Sequence, residues 1–187
     1  MKKITIILFS ILLLSFGCKT KKMATETLPV IEQSPAMPAS TNFSEQITWI
    51  LGYFTRDRLT APPHSEWYQK GYDEYQFKSE VVNKLTDISK DDLTIKIVMG
   101  SWCPDSRREV PRFMKIIDAW QFPVNNITFI GVDNAKLSPI GDFEKLDIQR
   151  VPTFIFYKNN IEAGRIIENP LTSLEQDILN ILTRNEK

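Results

Sequence analysis

Cysteine and histidine are nearly absent from this chain of 187 residues, which has two cysteines and one histidine. The two cysteines, Cys18 and Cys103, exclude a disulfide-stapled framework unless they pair with each other. The histidine, His64, follows Pro63 with no second type of metal ligand beside it, so we expect a surface side chain and no metal site. An excess of one charge is also lacking, because 23 basic residues balance 23 acidic ones. Zero net charge argues against nucleic acid as a partner.

The N-terminus has the features of a signal peptide. Apolar residues make up 42% and charged residues 25% of the chain, the profile of one globular domain with a small addition. That addition is the apolar stretch from Ile4 to Phe16 behind Lys2 and Lys3. A helix of this length rises only about 20 Å, short of the roughly 30 Å hydrocarbon layer of a membrane. We therefore predict that residues 1–17 are a cleaved signal peptide.

The end of this stretch, Leu14-Ser15-Phe16-Gly17-Cys18, resembles a bacterial lipobox. The resemblance implies that Cys18 becomes the acylated first residue of the mature protein, with its sulfur in a thioether. It also implies a lipid-anchored protein in the bacterial cell envelope, facing the extracytoplasmic side. The alternative is an ordinary secretory signal that leaves Cys18 as an incidental thiol.

A tether is predicted between this anchor and the folded part. Residues 18–42 are rich in Thr, Ser and Pro and have no sustained apolar period. A flexible chain of this length has an end-to-end distance of about 25–30 Å, enough to let a domain move next to a membrane. The folded part therefore begins near Phe43.

The spacing of apolar and aromatic residues over 43–90 predicts an extension made of helices and aromatic side chains. Apolar residues at helical spacing predict one helix from about 44 to 57 and another from about 78 to 89. Five aromatic residues lie between them: Trp67, Tyr68, Tyr72, Tyr75 and Phe77. No acid, base or metal pattern accompanies the rings, so we expect them to pack against the core. A ligand-binding wall is the alternative.

Residues 91–187 predict an α/β core with a mixed central sheet flanked by helices and covered on both faces. Apolar runs predict strands at 93–99, 127–132, 153–157 and 164–167. The last two are joined by a hairpin in which Asn159 and Asn160 tolerate positive φ angles. The expected order is β-α-β-α-β-β-α, with a crossover between the first two strands.

Two helices of this core are predicted from specific signals. Apolar residues at helical spacing predict a helix over 106–120. Thr172 with Glu175 three residues later predicts a capping box, which opens a final helix that runs to about 184.

The first strand of the core runs into Trp102-Cys103-Pro104-Asp105-Ser106 and then directly into a helix. This turn resembles that of the thioredoxin superfamily, which carries Trp-Cys-x-x-Cys. The resemblance implies a thioredoxin-like fold with Cys103 as the catalytic residue.

Three further matches strengthen the resemblance: two single residues and one loop. Glu109 and Pro111 match the pattern Cys-x-x-Cys-x-x-Glu-x-Pro of the membrane-tethered extracytoplasmic branch, which includes thiol-disulfide oxidoreductases for cytochrome maturation. Val151-Pro152-Thr153 resembles the cis-proline loop that faces the cysteine. In this family such a loop exposes backbone that pairs with an extended substrate. The resemblance spans residues 91–184.

A cysteine at the start of a helix is suited to nucleophilic chemistry. The free amides and the dipole of a helix N-terminus favour the thiolate, which is the form that attacks disulfides. Arg107 and Arg108 add positive charge in the first turn, while Asp105 and Glu109 oppose it. Trp102 either shields the sulfur on one side or only closes the edge of the core.

The chain departs from the family at the second cysteine, whose place is taken by Ser106. A hydroxyl does not ionise at physiological pH, so it cannot attack a mixed disulfide and release the bound partner. Ile97 also stands where thioredoxins have a buried acid, six residues before the attacking cysteine. The sequence therefore predicts a protein that does not resolve its own adducts.

Three functions remain open on these residues. In the first, Cys103 exchanges with a disulfide, Ser106 hydrogen-bonds the thiolate, and an external thiol releases the adduct. In the second, the fold is a redox-inactive module that binds a peptide or partner in the cis-proline groove. In the third, Cys103 senses an oxidant by forming a sulfenic acid. A peroxiredoxin is disfavoured because Gly100, not threonine, stands three residues before Cys103.

The expected partners are protein or small-molecule thiols and disulfides in the cell envelope, together with the membrane through the lipid anchor. No cofactor is expected, and we expect a monomer.

Overall fold

The computed structural model describes residues 48–184. The predicted signal peptide, the predicted lipidation site at Cys18 and the predicted tether over 18–42 lie outside the described residues. Among those that are described, no helix is both long enough and apolar enough to cross a membrane.

A five-stranded mixed sheet forms the centre of the fold, in the order β1-β3-β2-β4-β5. The strands are β1 Gly52–Phe54, β2 Leu93–Met99, β3 Ile127–Gly131, β4 Thr153–Lys158 and β5 Ile161–Ile167. β2 and β3 are parallel, whereas the β1–β3, β2–β4 and β4–β5 pairs are antiparallel. The helices are α1 Asp57–Thr60, α2 Ser65–Glu74, α3 Ser79–Thr86, α4 Pro104–Ala119 and α5 Leu174–Thr183.

The topology confirms the fold class expected from the sequence. Helix α4 makes the crossover between the parallel strands β2 and β3, and a hairpin joins β4 to β5. In that hairpin, Asn159 and Asn160 have positive φ angles, as predicted. A parallel β-α-β unit followed by an antiparallel hairpin and a closing helix is a thioredoxin-like arrangement. The chain is an α/β protein with this fold and an extension ahead of it.

The main core lies between one face of the sheet and the helices. β2 contributes Ile95 and Ile97, and α4 contributes Phe113, whose ring stacks on Phe154 of β4 with 4.2 Å between centroids. The aromatic residues of the extension pack on this core, with Tyr68 buried and the other four partly buried. The expectation that these rings serve packing is confirmed.

The helix predicted over 44–57 is wrong within the described residues, because Gly52–Phe54 is a strand. Its partner is the free edge of β3, with Gly52 opposite Gly131. Gly52 has a φ angle of +76°, which an α-helix does not accommodate. The apolar spacing that indicated a helix therefore serves a short edge strand, and pairing with a distant strand decides between the two.

The helix expected between β3 and β4 is also absent from the described residues. The segment 132–152 contains only a short 3-10 helix, Phe143–Leu146. Pro139, Gly141 and the positive φ angles of Asp142 and Asp147 interrupt any longer helix. This segment still covers the second face of the sheet, where Phe143 and Val151 lie in one apolar cluster with residues of β2 and β3.

The final helix is present, but the predicted capping box is not. Ser173 is the N-cap residue, and its side chain makes no capping bond. The Thr172 hydroxyl instead donates to Asp177 at 2.6 Å, and Glu175 accepts a hydrogen bond from Tyr75 at 2.8 Å. Glu175 of α5 therefore binds Tyr75 of the extension. Tyr75 lies 100 residues away and competes with the local cap for the Glu175 carboxylate.

Candidate functional site

Helix α4 places Cys103 at its N-cap position. Pro104 occupies the first helical turn, where the missing N–H of proline costs nothing. The Cys103 carbonyl accepts the Arg107 N–H at 3.0 Å, and the Cys103 N–H donates to the Gly100 carbonyl at 2.9 Å. The residue is 7% exposed and is a free thiol. A buried thiol therefore ends a tight turn between β2 and α4.

The loop expected to face the cysteine does so. The Val151–Pro152 peptide bond is cis, and the Cys103 thiol donates a hydrogen bond to the Val151 carbonyl with 3.4 Å between sulfur and oxygen. Thr153 is buried behind the loop, and its hydroxyl donates to the Arg150 carbonyl at 2.6 Å. The predicted nucleophile and the predicted substrate-binding loop are thus in direct contact.

Ser106 hydrogen-bonds the backbone of the turn that carries Cys103. It is fully buried, and its hydroxyl accepts a hydrogen bond from the Gly100 N–H at 3.3 Å. The hydrogen bond of the Cys103 thiol goes to the Val151 carbonyl and not to Ser106. With Cys103 as a thiol, the Ser106 hydroxyl serves as the acceptor that the Gly100 amide needs, and its hydrogen bond to a thiolate stays a prediction. Ser106 holds the shape of the turn.

Trp102 closes the other side of the turn. Its indole N–H donates to the Val132 carbonyl at 3.0 Å. The ring lies over Gly100, where a Cβ atom would come within 2.6 Å of it. A glycine is therefore needed at position 100, and the ring both borders the thiol and covers the end of the sheet.

The charged residues of the first helical turn pair with each other. Arg108 contacts Asp105 and Glu109, each at 2.6 Å, and Arg112 contacts Glu109 at 3.1 Å. Glu109 is 3% exposed, so two guanidinium groups compensate its buried carboxylate. The hydrogen bond to Glu109 raises the pKa of Arg108. These charges stabilise the helix start and one another.

Pro111 and Ile97, two other positions singled out from the sequence, serve packing. Pro111 lies inside α4 and faces Gly71 of α2, where a Cβ atom would lie 2.6 Å from the proline ring. Ile97 is fully buried in the main core. An apolar side chain therefore fills the position where thioredoxins have an acid.

A groove of about 370 Å³ opens beside the thiol. Its lining residues are Trp102, Cys103, Lys136, Gln149, Arg150, Val151 and Glu168. Arg150 and Glu168 form an ion pair at 2.8 Å, and the hydrogen bond to Glu168 raises the pKa of Arg150. Sequence reasoning missed Lys136, Gln149, Arg150 and Glu168, which belong to three separate segments and carry no motif.

His64, expected on the surface, is 4% exposed. Its ring packs edge-on against Trp67, with 5.8 Å between centroids, at the start of α2. Burial lowers the pKa of His64, and the positive charges of Arg107 and Arg58 lower it further. Spacing along the sequence does not reveal this burial.

Within residues 48–184, no three His, Cys, Asp or Glu side chains form a group that could hold a metal ion.

Comparison with known proteins identifies no family. No family model matches the chain, and no curated protein matches it.

Solved structures show partial likeness. A protein of unknown function from Pseudomonas aeruginosa has a TM-score of 0.45 and 16% identity, with 65% of this chain and 81% of that one covered. Mitochondrial thioredoxin 3 from Saccharomyces cerevisiae, in its oxidised form, has a TM-score of 0.36 and 19% identity over 61% and 98% of the two chains.

A third structure concerns thiol resolution of a yeast mitochondrial 1-Cys peroxiredoxin through the glutathione and thioredoxin systems. Its matching chain has a TM-score of 0.36 and 20% identity over 60% of this chain and 97% of that one. At such values none of the three says what this chain does.

Proposed function

We propose that this chain is a thiol-disulfide exchange protein with one working cysteine, in which Cys103 is the nucleophile and a thiol from outside the chain completes the cycle. The observation that carries the proposal is the 3.4 Å contact between the Cys103 sulfur and the Val151 carbonyl at the cis-proline loop. Cys103 also lies at the start of helix α4 and lines the groove.

The exchange takes place in two successive thiol-disulfide steps. The Cys103 thiolate attacks one sulfur of a partner disulfide, so that a mixed disulfide forms and the other sulfur leaves as a thiolate. A second, external thiolate then attacks the partner's sulfur in the mixed disulfide and releases Cys103 as a thiolate. No electrons are gained or lost overall, because one disulfide is exchanged for another.

The need for an external thiol follows from the residues near Cys103. Ser106 occupies the second cysteine position and is bonded to Gly100. Cys103 is the free cysteine of residues 48–184. We further propose that Cys18 is acylated and holds the domain on the extracytoplasmic side of a bacterial membrane, where its partners would be thiols and disulfides of the cell envelope.

The test is capture of a disulfide reagent by the full-length, reduced protein in detergent. We expect the wild type to form a mixed disulfide with oxidised glutathione that persists until a small reductant is added. The Cys103→Ala variant should form none at this position, as checked by mass spectrometry of the peptide containing residue 103. Absence of any adduct in the wild type would exclude exchange.

A redox-inactive binding module is the second candidate, and one observation favours it. The Cys103 residue is only 7% exposed, and its thiol already donates a hydrogen bond to the Val151 carbonyl. In that case an envelope partner would bind the groove equally well after Cys103→Ala. Capture that requires peroxide and fails with a disulfide would instead indicate an oxidant sensor.

A further inference from the structure

Residues 48–50, which lead into β1, are hydrogen-bonded to the buried side chain of Ser101. Ser101 belongs to the turn from Gly100 to Cys103, called here the active-site turn. The Ser101 hydroxyl accepts a hydrogen bond from the Ile50 N–H at 3.0 Å and donates one to the Thr48 carbonyl at 3.3 Å. Ser101 is 1% exposed. Because Ser101 lies two residues before Cys103, these bonds act on the turn that carries the thiol.

Two further side chains fix the same contact. A hydrogen bond between the His64 ring and the Thr48 backbone opposes the lowering of the His64 pKa, so the ring lies against the residue that Ser101 also contacts. The Arg107 Nε donates to the Ser101 carbonyl at 2.6 Å. Both the side chain and the main chain of Ser101 are thus engaged, from the extension on one side and from α4 on the other.

The backbone of the entering segment also lies unusually close to the sheet. A Cβ atom at Gly131 would come within 2.1 Å of the Ile50 carbonyl oxygen. Any larger residue at position 131 would push the segment away from the turn. The end of β3 is therefore shaped to receive residues 48–50.

Access to the thiol is narrow in this arrangement, although Cys103 lines the groove. The Cys103 residue is 7% exposed, and its thiol donates a hydrogen bond to the Val151 carbonyl. A thiolate must approach a disulfide along the sulfur–sulfur axis, which requires open space in front of it. Movement of the turn away from the cis-proline loop would widen access to the sulfur, and the hydrogen bonds of Ser101 oppose that movement.

We propose that residues 48–50 form a clamp that holds the active-site turn closed, and that Ser101 is the positioning residue through which the clamp limits access to Cys103. The biological meaning rests on the proposed exchange function. The physical content, access to the thiol, can be measured without any exchange reaction.

The experiment measures alkylation of Cys103 by iodoacetamide in the full-length, reduced protein, followed by mass spectrometry of its peptide. The test variant is Ser101→Ala. The control is Asn126→Ala, which removes a 3.2 Å hydrogen bond from Asn126 to the Leu93 carbonyl at the opposite end of β2. Both variants lose hydrogen bonds between a side chain and the backbone, two at Ser101 and one at Asn126, but only those of Ser101 lie beside the thiol.

We expect Ser101→Ala to be alkylated about tenfold faster than the wild type, the scale set by loss of a buried hydrogen bond. Asn126→Ala should keep the wild-type rate. The faster rate should not change with urea below the unfolding transition, since opening of one turn exposes little surface, whereas global unfolding exposes much. A merely destabilised protein would show a rate that rises with urea.

An unchanged or slower rate in Ser101→Ala, or a rate that follows global unfolding, would overturn the clamp. If that variant does not fold, His64→Phe tests the same contact by removing the donor to Thr48 while filling the space. It should also accelerate alkylation, and a wild-type rate there would equally refute the proposal.

Mixed-disulfide formation in the same variants separates this inference from the proposed function. If no variant forms a mixed disulfide while Ser101→Ala is alkylated faster, the exchange proposal fails and the clamp stands. If adducts form equally fast in all variants and alkylation is unchanged, exchange stands and the clamp fails.

Discussion

The Ser106 hydroxyl accepts a hydrogen bond from the Gly100 N–H, 3.3 Å away, across the turn that carries Cys103. Ser106 thus stabilises the turn. Residues three apart in a helix are neighbours, so a sulfur at position 106 would lie on the same side of α4 as residue 103. This relationship leads to the first prediction.

Ser106→Cys should shorten the lifetime of mixed disulfides on Cys103 and produce disulfide reductase activity. The new thiolate can attack the adduct from within the chain, which the hydroxyl cannot. Insulin reduction and decay of a glutathione adduct measure the two effects. Ile97 supplies no acid to assist proton movement while the mixed disulfide is resolved, so the gain in reductase activity should be modest.

The matched control is Ser106→Ala, which leaves the buried Gly100 N–H without an acceptor. It should lower the free energy of unfolding by about 1–3 kcal/mol while adducts stay as long-lived as in the wild type. Equal adduct lifetimes in Ser106→Cys and Ser106→Ala would contradict resolution at this position.

Gly71→Ala should destabilise the protein by about 1–3 kcal/mol, the usual cost of overpacking. The added Cβ atom would meet the rigid ring of Pro111 at 2.6 Å, and either α2 or α4 must shift. Gly141→Ala is the matched control, because a Cβ atom there has no neighbour within 4 Å. Urea unfolding of both variants tests the prediction, which equal midpoints would refute.

Stability should fall on acidification through about pH 6.5 because of His64. Its pKa is lowered in the folded protein by burial and by Arg107 and Arg58. Below the unfolded value of about 6.5, the unfolded chain binds a proton that the folded chain does not. Stability is therefore complete above about pH 6.5 and decreases on acidification, by at most about 1.4 kcal/mol per pH unit for one proton.

The variant His64→Phe has no such group. Its free energy of unfolding, from urea titrations at several pH values, should fall less than that of the wild type on the same acidification. Parallel curves for the two proteins would show that His64 is not responsible.

Cys18→Ala should release the protein from the membrane fraction of the cell or leave it unprocessed. The prediction follows from the order of basic residues, apolar stretch, Gly17 and Cys18. Cys103→Ala, which leaves this order intact, should remain with the membrane. A Cys18→Ala protein that fractionates as the wild type does would rule out a lipid anchor at this residue.

The sequence by itself determined the parts of this protein that depend on local patterns. The run from Leu93 to Met99 and the helical spacing after Cys103 predicted β2 and α4, since hydrophobic periodicity reflects which face of an element is buried. The approach of Cys103 to Val151 followed from a motif resemblance and is present in the structure.

Only the tertiary structure decided the features that depend on distant partners. Gly52–Phe54 is a strand because the edge of β3 is free to pair with it, and His64 is buried because α2 packs on α4. The Ile50 N–H finds its acceptor in Ser101, 51 residues along the chain. Such a bond leaves no trace in local spacing, because the need of a buried N–H for an acceptor does not specify which residue supplies it.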